Sequence, residues 1–360
     1  MSAFRNYSSL RFTPDPGLNI LVGPNGQGKT SLLEAFHVVL TGRSFRTARL
    51  VECVRWGEAE GGVGGEVVRD DQRRPVRLIV APRGRSVEVD GQVCPWARAV
   101  TFSAVDLGLL TGPPGGRRAY LDGAAAKLLP AHTTACRRYR IALYQRGRLL
   151  VTLGGRPDAD RLLAPWDEQI AQLGSQIVHR RIETLAALGE ETAAIWRVLA
   201  PGGPPLELGY APAVAPGPDP ERTRETLLEA LAVGRREELR RGVTLAGPHR
   251  DDLVVRLGEA EVRTYGSRGE QRLVVLALRL AETGPVRHRV GTAPVLLLDD
   301  LLSELDGGAR TRVLAWLAAQ GQVLFSATDA TRLPEGVGTV WAVQGGGVEA
   351  VEAAAVRGAA

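Results

Sequence analysis

The stretch LNILVGPNGQGKT, residues 18–30, runs from an apolar pentapeptide through a glycine-rich turn into SLLEAFHVVL (31–40), where the apolar positions repeat at helical spacing. Strand, loop and helix follow one another in that order. GPNGQGKT therefore matches GxxxxGK[ST] in the context that gives the motif its mechanism. Gly23, Gly26 and Gly28 let the backbone turn its N–H groups inward as an anion nest, and the positive end of the following helix adds to the field. Lys29 would reach terminal phosphates and the Thr30 hydroxyl would ligate Mg²⁺. The expected nucleotide-binding set is Gly23, Asn25, Gly26, Gln27, Gly28, Lys29, Thr30 and Ser31. Only two of the 45 basic residues are lysines, Lys29 and Lys127, so the lysine inside the loop is not a product of lysine abundance.

Outward from this loop, VLLLDD (295–300) reads as a central strand buried on both faces that ends in two carboxylates. Asp299 would hold Mg²⁺ through water opposite Thr30. Asp300 is placed to orient or deprotonate an attacking water, or alternatively to cap the next helix. A third segment, YGSRGEQ (265–271), precedes the helical run RLVVLALRLAE. Ser267 and Glu270 have capping-box spacing, while the Ser267 hydroxyl, the Gly269 N–H and the helix dipole also suit an anion beyond the helix start. The candidate catalytic residues are Lys29, Asp299, Asp300 and Ser267, and the candidate metal ligands are Thr30 and Asp299.

The surrounding chain is α/β. Alternating apolar and polar residues from Cys53 to Val93 predict an antiparallel meander, and Arg117 to Leu199 is mostly helical, interrupted at GGRPDAD and LAPWDEQ. Residues 211–220, APAVAPGPDP, read as a surface linker. Strand and helix then alternate again to a last strand at VWAV. The two ends of the chain are expected to form one domain (1–112 and 243–360) around a helical insert (113–242).

Composition narrows the class. With 360 residues and 44% hydrophobic content the chain is long enough for a sizeable core. A net charge of +5 favours anionic partners only mildly. Cys53, Cys94 and Cys136 lie far apart with no CxxC and no paired His spacing, which argues against a disulfide framework and a zinc site and fits a reducing cytoplasm. No leader-like segment and no apolar run long enough to span a bilayer is visible, so neither secretion nor a membrane is expected.

Phosphate loop, YGSRGEQ, acidic strand and SELD (303–306), in this order, resemble the ABC-type ATPase superfamily, in which the YGSRGEQ-like segment completes the site of a second subunit. About 235 residues separate Thr30 from Tyr265, far more than in transporter subunits of that class. The wide split resembles the chromosome-maintenance (SMC-like) branch, with a shorter and more interrupted insert. FRNY (4–7), GPNGQGKTSLLEA, FSAVDLGLLTGPPGGRRAYLD (102–122), TLAGPHRDDL (244–253), YGSRGEQ and LLLDDLLSELD together resemble the RecF family of bacterial recombination mediators, in order and over nearly the whole chain.

That resemblance implies an ABC-type P-loop ATPase head, with a mixed sheet, flanking helices and an antiparallel strand lobe, plus a mainly helical inserted domain. It implies ATP and Mg²⁺ as cofactors and an ATP-dependent homodimer that binds DNA at single-strand gaps. It also implies cooperation with RecO and RecR in loading RecA, within DNA replication, repair, recombination and the SOS response. A transporter-coupling ATPase and a P-loop small-metabolite kinase are the rival readings; the spacing opposes the first, and YGSRGEQ has no task in the second. Members of the family usually carry a strand before FRNY. This chain opens almost at it, so an edge strand is expected to be missing or the start cut short. Ser103, Ala104, Val105 and Asp106 replace the family's Pro-Glu-Asp, and Thr328 and Asp329 stand where a switch histidine is usual. With Asp rather than Glu at 300, these departures predict slow hydrolysis.

The densest basic text is CRRYRIALYQRGR (136–148), and Arg137, Arg138, Arg140, Arg146 and Arg148 are the candidate DNA contacts, against the plainer reading of a solvated helix. Arg43, Arg46 and Arg49 form a second group that could equally answer carboxylates. With no base-reading motif present, recognition should follow backbone shape and charge. His249 is expected to position the helix after YGSRGEQ rather than to catalyse.

Overall fold

The computed structural model describes residues 1–351 apart from 82–83, 87–93, 95, 155, 302–304, 330–335 and 337, with backbone alone at 84–86. The chain begins with strands β1 (Ser2–Phe4), β2 (Tyr7–Ser9) and β3 (Leu18–Val22) and helix α1 (Lys29–Thr41). Strands β4 (Gly61–Arg69), β5 (Gln72–Ala81), β6 (Gly84–Ser86) and β7 (Ala99–Phe102) follow. Next come α2 (Gly108–Thr111), α3 (Pro114–Leu128), α4 (Ala131–Thr152), α5 (Ala159–Leu199), β8 (Leu206–Ala211) and α6 (Pro220–Arg241). The remainder is β9 (Asp252–Leu257), β10 (Ala260–Glu261), α7 (Val262–Tyr265), α8 (Arg268–Ala281), α9 (Thr283–Val290), β11 (Val295–Leu298), α10 (Gly307–Ala318), β12 (Val323–Ala327), β13 (Thr339–Gln344) and β14 (Gly347–Val351).

These elements divide into two units. The first holds Met1–Asp106, Val198–Pro201 and the chain from Arg279 on, and the second holds Leu107–Arg197 and Gly202–Leu278. The sequence reading put residues 243–278 with the ends of the chain. They belong instead to the second unit, because β9 pairs antiparallel with β8 along its whole length, from Leu206↔Leu257 to Ala211↔Asp252. Residues 211–220 lie at the surface as read, with none buried, and are tied down there: the Ala213 N–H donates to the buried Asp251 carboxylate at 2.8 Å, and Val214 packs on the core of this unit.

In the first unit a six-stranded sheet has the order β14-β13-β3-β12-β11-β7. All neighbours run parallel except the β13–β14 edge. Every residue of β3 and β12 is buried, as expected of strands covered on both faces. Their apolar side chains, with Leu32, Leu33 and Val38 of α1, supply much of the core. A five-stranded antiparallel sheet, β2-β1-β4-β5-β6, forms the expected strand lobe. FRNY is the turn of its first hairpin, with Phe4 opposite Tyr7. Ser2 and Ala3, ahead of FRNY, already belong to β1.

In the second unit the predicted break at LAPWDEQ does not occur: α5 runs unbroken through Pro165. An internal proline costs about 3 kcal/mol, and burial of Leu163, Ile170, Leu173 and Ile177 along the same helix outweighs it. Among the described residues no helix is long and apolar enough to cross a membrane.

Candidate nucleotide site

Register brings the site together. Val22 pairs with Ala327, Phe325 with Leu298, and Leu298 with Phe102, so four parallel strands end side by side. Ligands of open α/β sheets sit beyond such carboxyl ends. Residues 23–28 leave β3 there, Asp299 and Asp300 leave β11, Ser103 leaves β7, and Thr328 leaves β12.

The loop owes its path to glycine at particular places. Gly28 (φ 108) and Gly26 (φ 82) adopt left-handed backbone that side chains rarely enter. A Cβ at Gly28 would stand 2.5 Å from Asn6 Nδ2 and 2.7 Å from the Tyr7 oxygen, and one at Gly23 would stand 2.3 Å from the Val343 carbonyl. FRNY is thus the loop's clamp: Asn6 Nδ2 donates to the Gln27 carbonyl at 3.3 Å and the Tyr7 hydroxyl to the Gly28 carbonyl at 3.1 Å. Burial pushes the Tyr7 phenol up to about 12, so it stays a donor. On the other side the Gly345 N–H donates to Gln27 Oε1 at 3.0 Å. Arg5 holds the helix itself, bonding Glu34 of α1 through Nε at 2.7 Å and through Nη2 at 2.6 Å.

The Lys29 ammonium donates to the loop carbonyls of Gly23 and of Pro24, the latter at 2.8 Å. Burial lowers its pKa, while Asp299 and Asp300 pull the other way. The Thr30 hydroxyl donates to the Asp299 carboxylate at 2.8 and 3.0 Å, and the Ser326 hydroxyl donates to Asp299 Oδ1 at 2.6 Å. Ser326 in turn accepts from the Asp300 N–H at 2.9 Å. Sequence reasoning missed Ser326, although VLFSATD places it one residue before the end of β12. Asp300 has φ 48, an outlier for a residue with a side chain and of the kind that clusters at functional sites. Asp106, in the segment that departs from the family's Pro-Glu-Asp, accepts from the Ser103 N–H at 2.7 Å and from Arg279 Nε at 3.1 Å. Thr328 and Asp329 are exposed. Ser303 and Glu304 of SELD lie outside the described residues, while Asp306 caps α10 by accepting from the Ala309 N–H at 2.8 Å.

In the second unit, Ser267, Arg268, Gly269 and Glu270 are all exposed at the start of α8, and Tyr265 is 75% exposed. The capping box forms as the spacing predicts: Glu270 accepts from the Ser267 N–H at 2.8 Å and from its hydroxyl at 2.7 Å, which holds the Glu270 carboxyl below its ordinary pKa.

The two most family-specific texts meet in this unit. Arg117 makes a two-bond pair with Asp252 at 2.7 and 2.6 Å, and Arg118 donates to the Asp251 carbonyl at 2.8 Å. Arg181 pairs with Asp122 at 2.8 and 2.9 Å and also donates to the Pro248 carbonyl at 2.8 Å. GPPGGRRAYLD and GPHRDDL are therefore halves of one ionic network. His249 bonds the Tyr139 hydroxyl at 2.8 Å and the Thr244 carbonyl at 3.1 Å. It fastens its loop to α4 through Tyr139.

One DNA candidate is corrected. Arg146 is fully buried, bonded to Asp167 at 2.7 Å, Glu238 at 2.6 Å and Thr244 at 2.8 Å, because position 146 falls on the inward face of α4 with Tyr139 and Leu150. Arg137, Arg138, Arg140 and Arg148 are exposed on the outward side, with Tyr144 64% exposed among them. Of the second basic group, Arg46 answers buried Glu34 at 3.3 Å and Arg49 answers Glu52 at 3.7 Å.

A glycine loop at the end of a central parallel strand, with a strand-end aspartate bonded to the loop threonine, defines a P-loop ATPase of the head type. A family model described as an AAA domain matches residues 1–63. The Smc head domain of Pyrococcus furiosus shares the fold, with a TM-score of 0.53 at 16% identity over 97% of this chain and 94% of that one. The DNA replication and repair protein RecF of Streptomyces avermitilis is 37% identical over 98% of both chains, and that of Chloroflexus aurantiacus 37% over 91% of both. A solved structure of the recombination mediator protein RecF with ATP, from the RecFOR pathway, superposes with a TM-score of 0.87 at 26% identity over 97% of this chain and 95% of that one. The chain belongs to the RecF family of DNA replication and repair proteins.

Proposed function

We propose that this chain is an ATP-dependent DNA-binding recombination and repair mediator. It pairs with a second copy of itself on binding ATP and holds DNA at single-strand gaps. With RecO and RecR it promotes loading of RecA onto strands coated with single-strand-binding protein, and slow ATP hydrolysis resets it. The observation that carries the reading is the Thr30–Asp299 contact of 2.8 Å beside a loop bent by left-handed Gly26 and Gly28.

Those residues suit the cofactors. Gly23, Asn25, Gly26, Gln27, Gly28 and Ser31 frame the phosphate groups, and Lys29 turns from loop carbonyls to phosphate oxygens. A hydroxyl and a carboxylate already in contact are an oxygen donor set for Mg²⁺, with Thr30 and Asp299 holding it and Ser326 orienting the carboxylate. When bound, Mg²⁺ neutralises charge on the phosphates. Asp300 positions the attacking water, and its side chain, one methylene shorter than glutamate, supports turnover below about 10 s⁻¹, the median enzyme rate. Ser267 and Gly269 of one protomer would close over the nucleotide held by the other, a task suited to their exposure at a helix start. The exposed arginines of α4 supply backbone contacts to DNA.

The test is dimerisation and DNA binding, with and without ATP, in Lys29→Met and Ser267→Arg variants, each alone and mixed. Either variant alone should stay monomeric with ATP and bind DNA weakly, and the mixture should recover part of the pairing through one intact composite site. Full-rate hydrolysis by a demonstrably monomeric wild type, or undisturbed pairing in Ser267→Arg, would overturn the proposal.

A further inference from the structure

Outside the nucleotide site, three side chains of different donor type converge in the second unit. Asp122 comes from α3, and His132 and Cys136 come from one face of α4, four residues apart. His132 Nε2 lies 3.0 Å from Asp122 Oδ1 and 3.3 Å from Cys136 Sγ, and all three ligand atoms lie within 4.8 Å of one another. Among the described residues no other trio of His, Cys, Asp and Glu converges in this way.

We propose that Asp122, His132 and Cys136 form a zinc site that ties α3 to α4. A tetrahedral zinc ion with bonds of about 2.0–2.3 Å sets its ligand atoms roughly 3.3–3.8 Å apart, so the two edges at His132 need movements of a few tenths of an ångström and the edge between Cys136 and Asp122, within 4.8 Å, has to close by up to about 1 Å. One sulfur, one imidazole nitrogen and one carboxylate oxygen form a borderline-soft set that suits Zn²⁺ better than the all-oxygen cations Mg²⁺ and Ca²⁺. A thiolate and a carboxylate bring two negative charges to the ion, the carboxylate sharing its charge with Arg181. Arg181, which bonds both Asp122 oxygens at 2.8 and 2.9 Å, is the outer partner that fixes a ligating carboxylate in orientation.

Access is open from one side. His132 is fully buried, whereas Cys136 is half-buried and the Asp122 side chain is 28% exposed, so an ion can enter past them and keep water as its fourth ligand. Local sequence patterns could not reveal this set, because they seek CxxC or paired histidines and the third ligand sits on a different helix. The site is independent of the nucleotide reading: its ligands share no residue with the phosphate loop.

The test uses the full chain, stripped with chelator under a thiol-free reductant and titrated with Zn²⁺ and, separately, Co²⁺. The expected result is one equivalent of Zn²⁺ bound in competition with a chromophoric chelator, a thiolate-to-cobalt charge-transfer band, and a melting temperature raised by Zn²⁺. Cys136→Ser, close in size to the thiol, should keep the fold but lose the band, weaken Zn²⁺ binding at least tenfold and remove the thermal shift. The band reports on cysteine alone, so binding of either ion at Thr30 and Asp299 cannot imitate it, and Cys53 and Cys94 are each only 1% exposed. Absence of the band in the wild type, or the same Zn²⁺ affinity in Cys136→Ser, would leave Asp122, His132 and Cys136 as a hydrogen-bonded cluster and overturn the proposal.

Discussion

Replacing Gly28 by alanine tests whether FRNY shapes the nucleotide loop. At φ 108 the alanine takes on left-handed strain of about 1–2 kcal/mol. Its Cβ would also lie 2.5 Å from Asn6 Nδ2 and 2.7 and 2.8 Å from the Tyr7 oxygen and Cζ. Tyr7 is only 1% exposed and cannot swing aside, so overpacking adds about 1–3 kcal/mol. Gly26→Ala is the internal control, since Gly26 is also left-handed at φ 82 but has nothing within 4 Å of its Cβ direction. It carries the strain of about 1–2 kcal/mol and no clash. The measurement is affinity for a fluorescent ATP analogue, with melting temperature as a check on folding. Gly28→Ala should bind about five- to 150-fold more weakly than Gly26→Ala, since 1.4 kcal/mol is a factor of ten. Adding Asn6→Ala to Gly28→Ala should recover part of the difference by clearing the nearest atom. If the two glycine variants bind within threefold of each other, FRNY does not set the loop's shape.

Arg146→Met strands buried Glu238, while Asp167 keeps Arg235, and should destabilise the fold by about 3–5 kcal/mol in denaturant melts, with the salt dependence of DNA binding unchanged. Arg137→Gln or Arg148→Gln should do the opposite, sparing stability and lowering the log–log salt slope of DNA binding by about 1 each. A slope that moves with Arg146 and not with these two would return the buried residue to the DNA surface. Burial lowers the His249 pKa to about 4 from an ordinary 6.5. The unfolded chain therefore binds more protons between those values, and stability should be flat above about pH 6.5 and fall by up to about 1.4 kcal/mol per pH unit as pH drops towards 4. His249→Asn should flatten that part of the curve in pH-dependent urea melts. Thr30→Val removes the hydroxyl bonded to Asp299 and should abolish Mg²⁺-dependent stimulation of ATP binding while leaving the melting temperature within a few degrees.

Most of the candidate site's geometry was legible because its signals are local. A phosphate loop needs glycine wherever the backbone turns left-handed, and the acidic strand declares itself by an apolar run ending in carboxylates. What stayed hidden is what depends on partners distant in sequence. Ser326 looked like an ordinary strand residue until the β11–β12 register set it beside Asp299. Arg146 looked like its four neighbours, and only the helix phase, with Tyr139 and Leu150 on the same inward line, separates it from them. The domain boundary failed for a related reason: strand and helix alternation after Gly242 matches that of the head, and nothing in residues 252–257 announces that their partner is β8.

The ionic network between the two family-specific segments explains how residues far from any phosphate could still govern the start of α8. Arg117 is 3% exposed at its side chain, and besides Asp252 it donates to the Leu110 and Gly112 carbonyls at 3.1 and 3.0 Å. It thereby fixes the start of α3, and one turn further along the Tyr120 hydroxyl donates to the Leu278 carbonyl of α8 at 2.8 Å. Strand β9, which carries Asp252, leads through β10 and α7 directly into the segment that holds Ser267. Arg117 is thus tied to α8 by two routes, one through α3 and one through the chain itself. Arg117→Met should then cost about 1–3 kcal/mol of stability, since the Asp252 side chain is 26% exposed and water can take over part of the lost pairing. Tyr120→Phe, which removes a single hydrogen bond worth about 1 kcal/mol, should leave the fold standing while loosening the packing of α8. Its readout is ATP-dependent pairing at unchanged affinity for nucleotide: pairing should weaken severalfold in Tyr120→Phe, and equal weakening of nucleotide binding by the separate protomer would show that the network serves the fold alone.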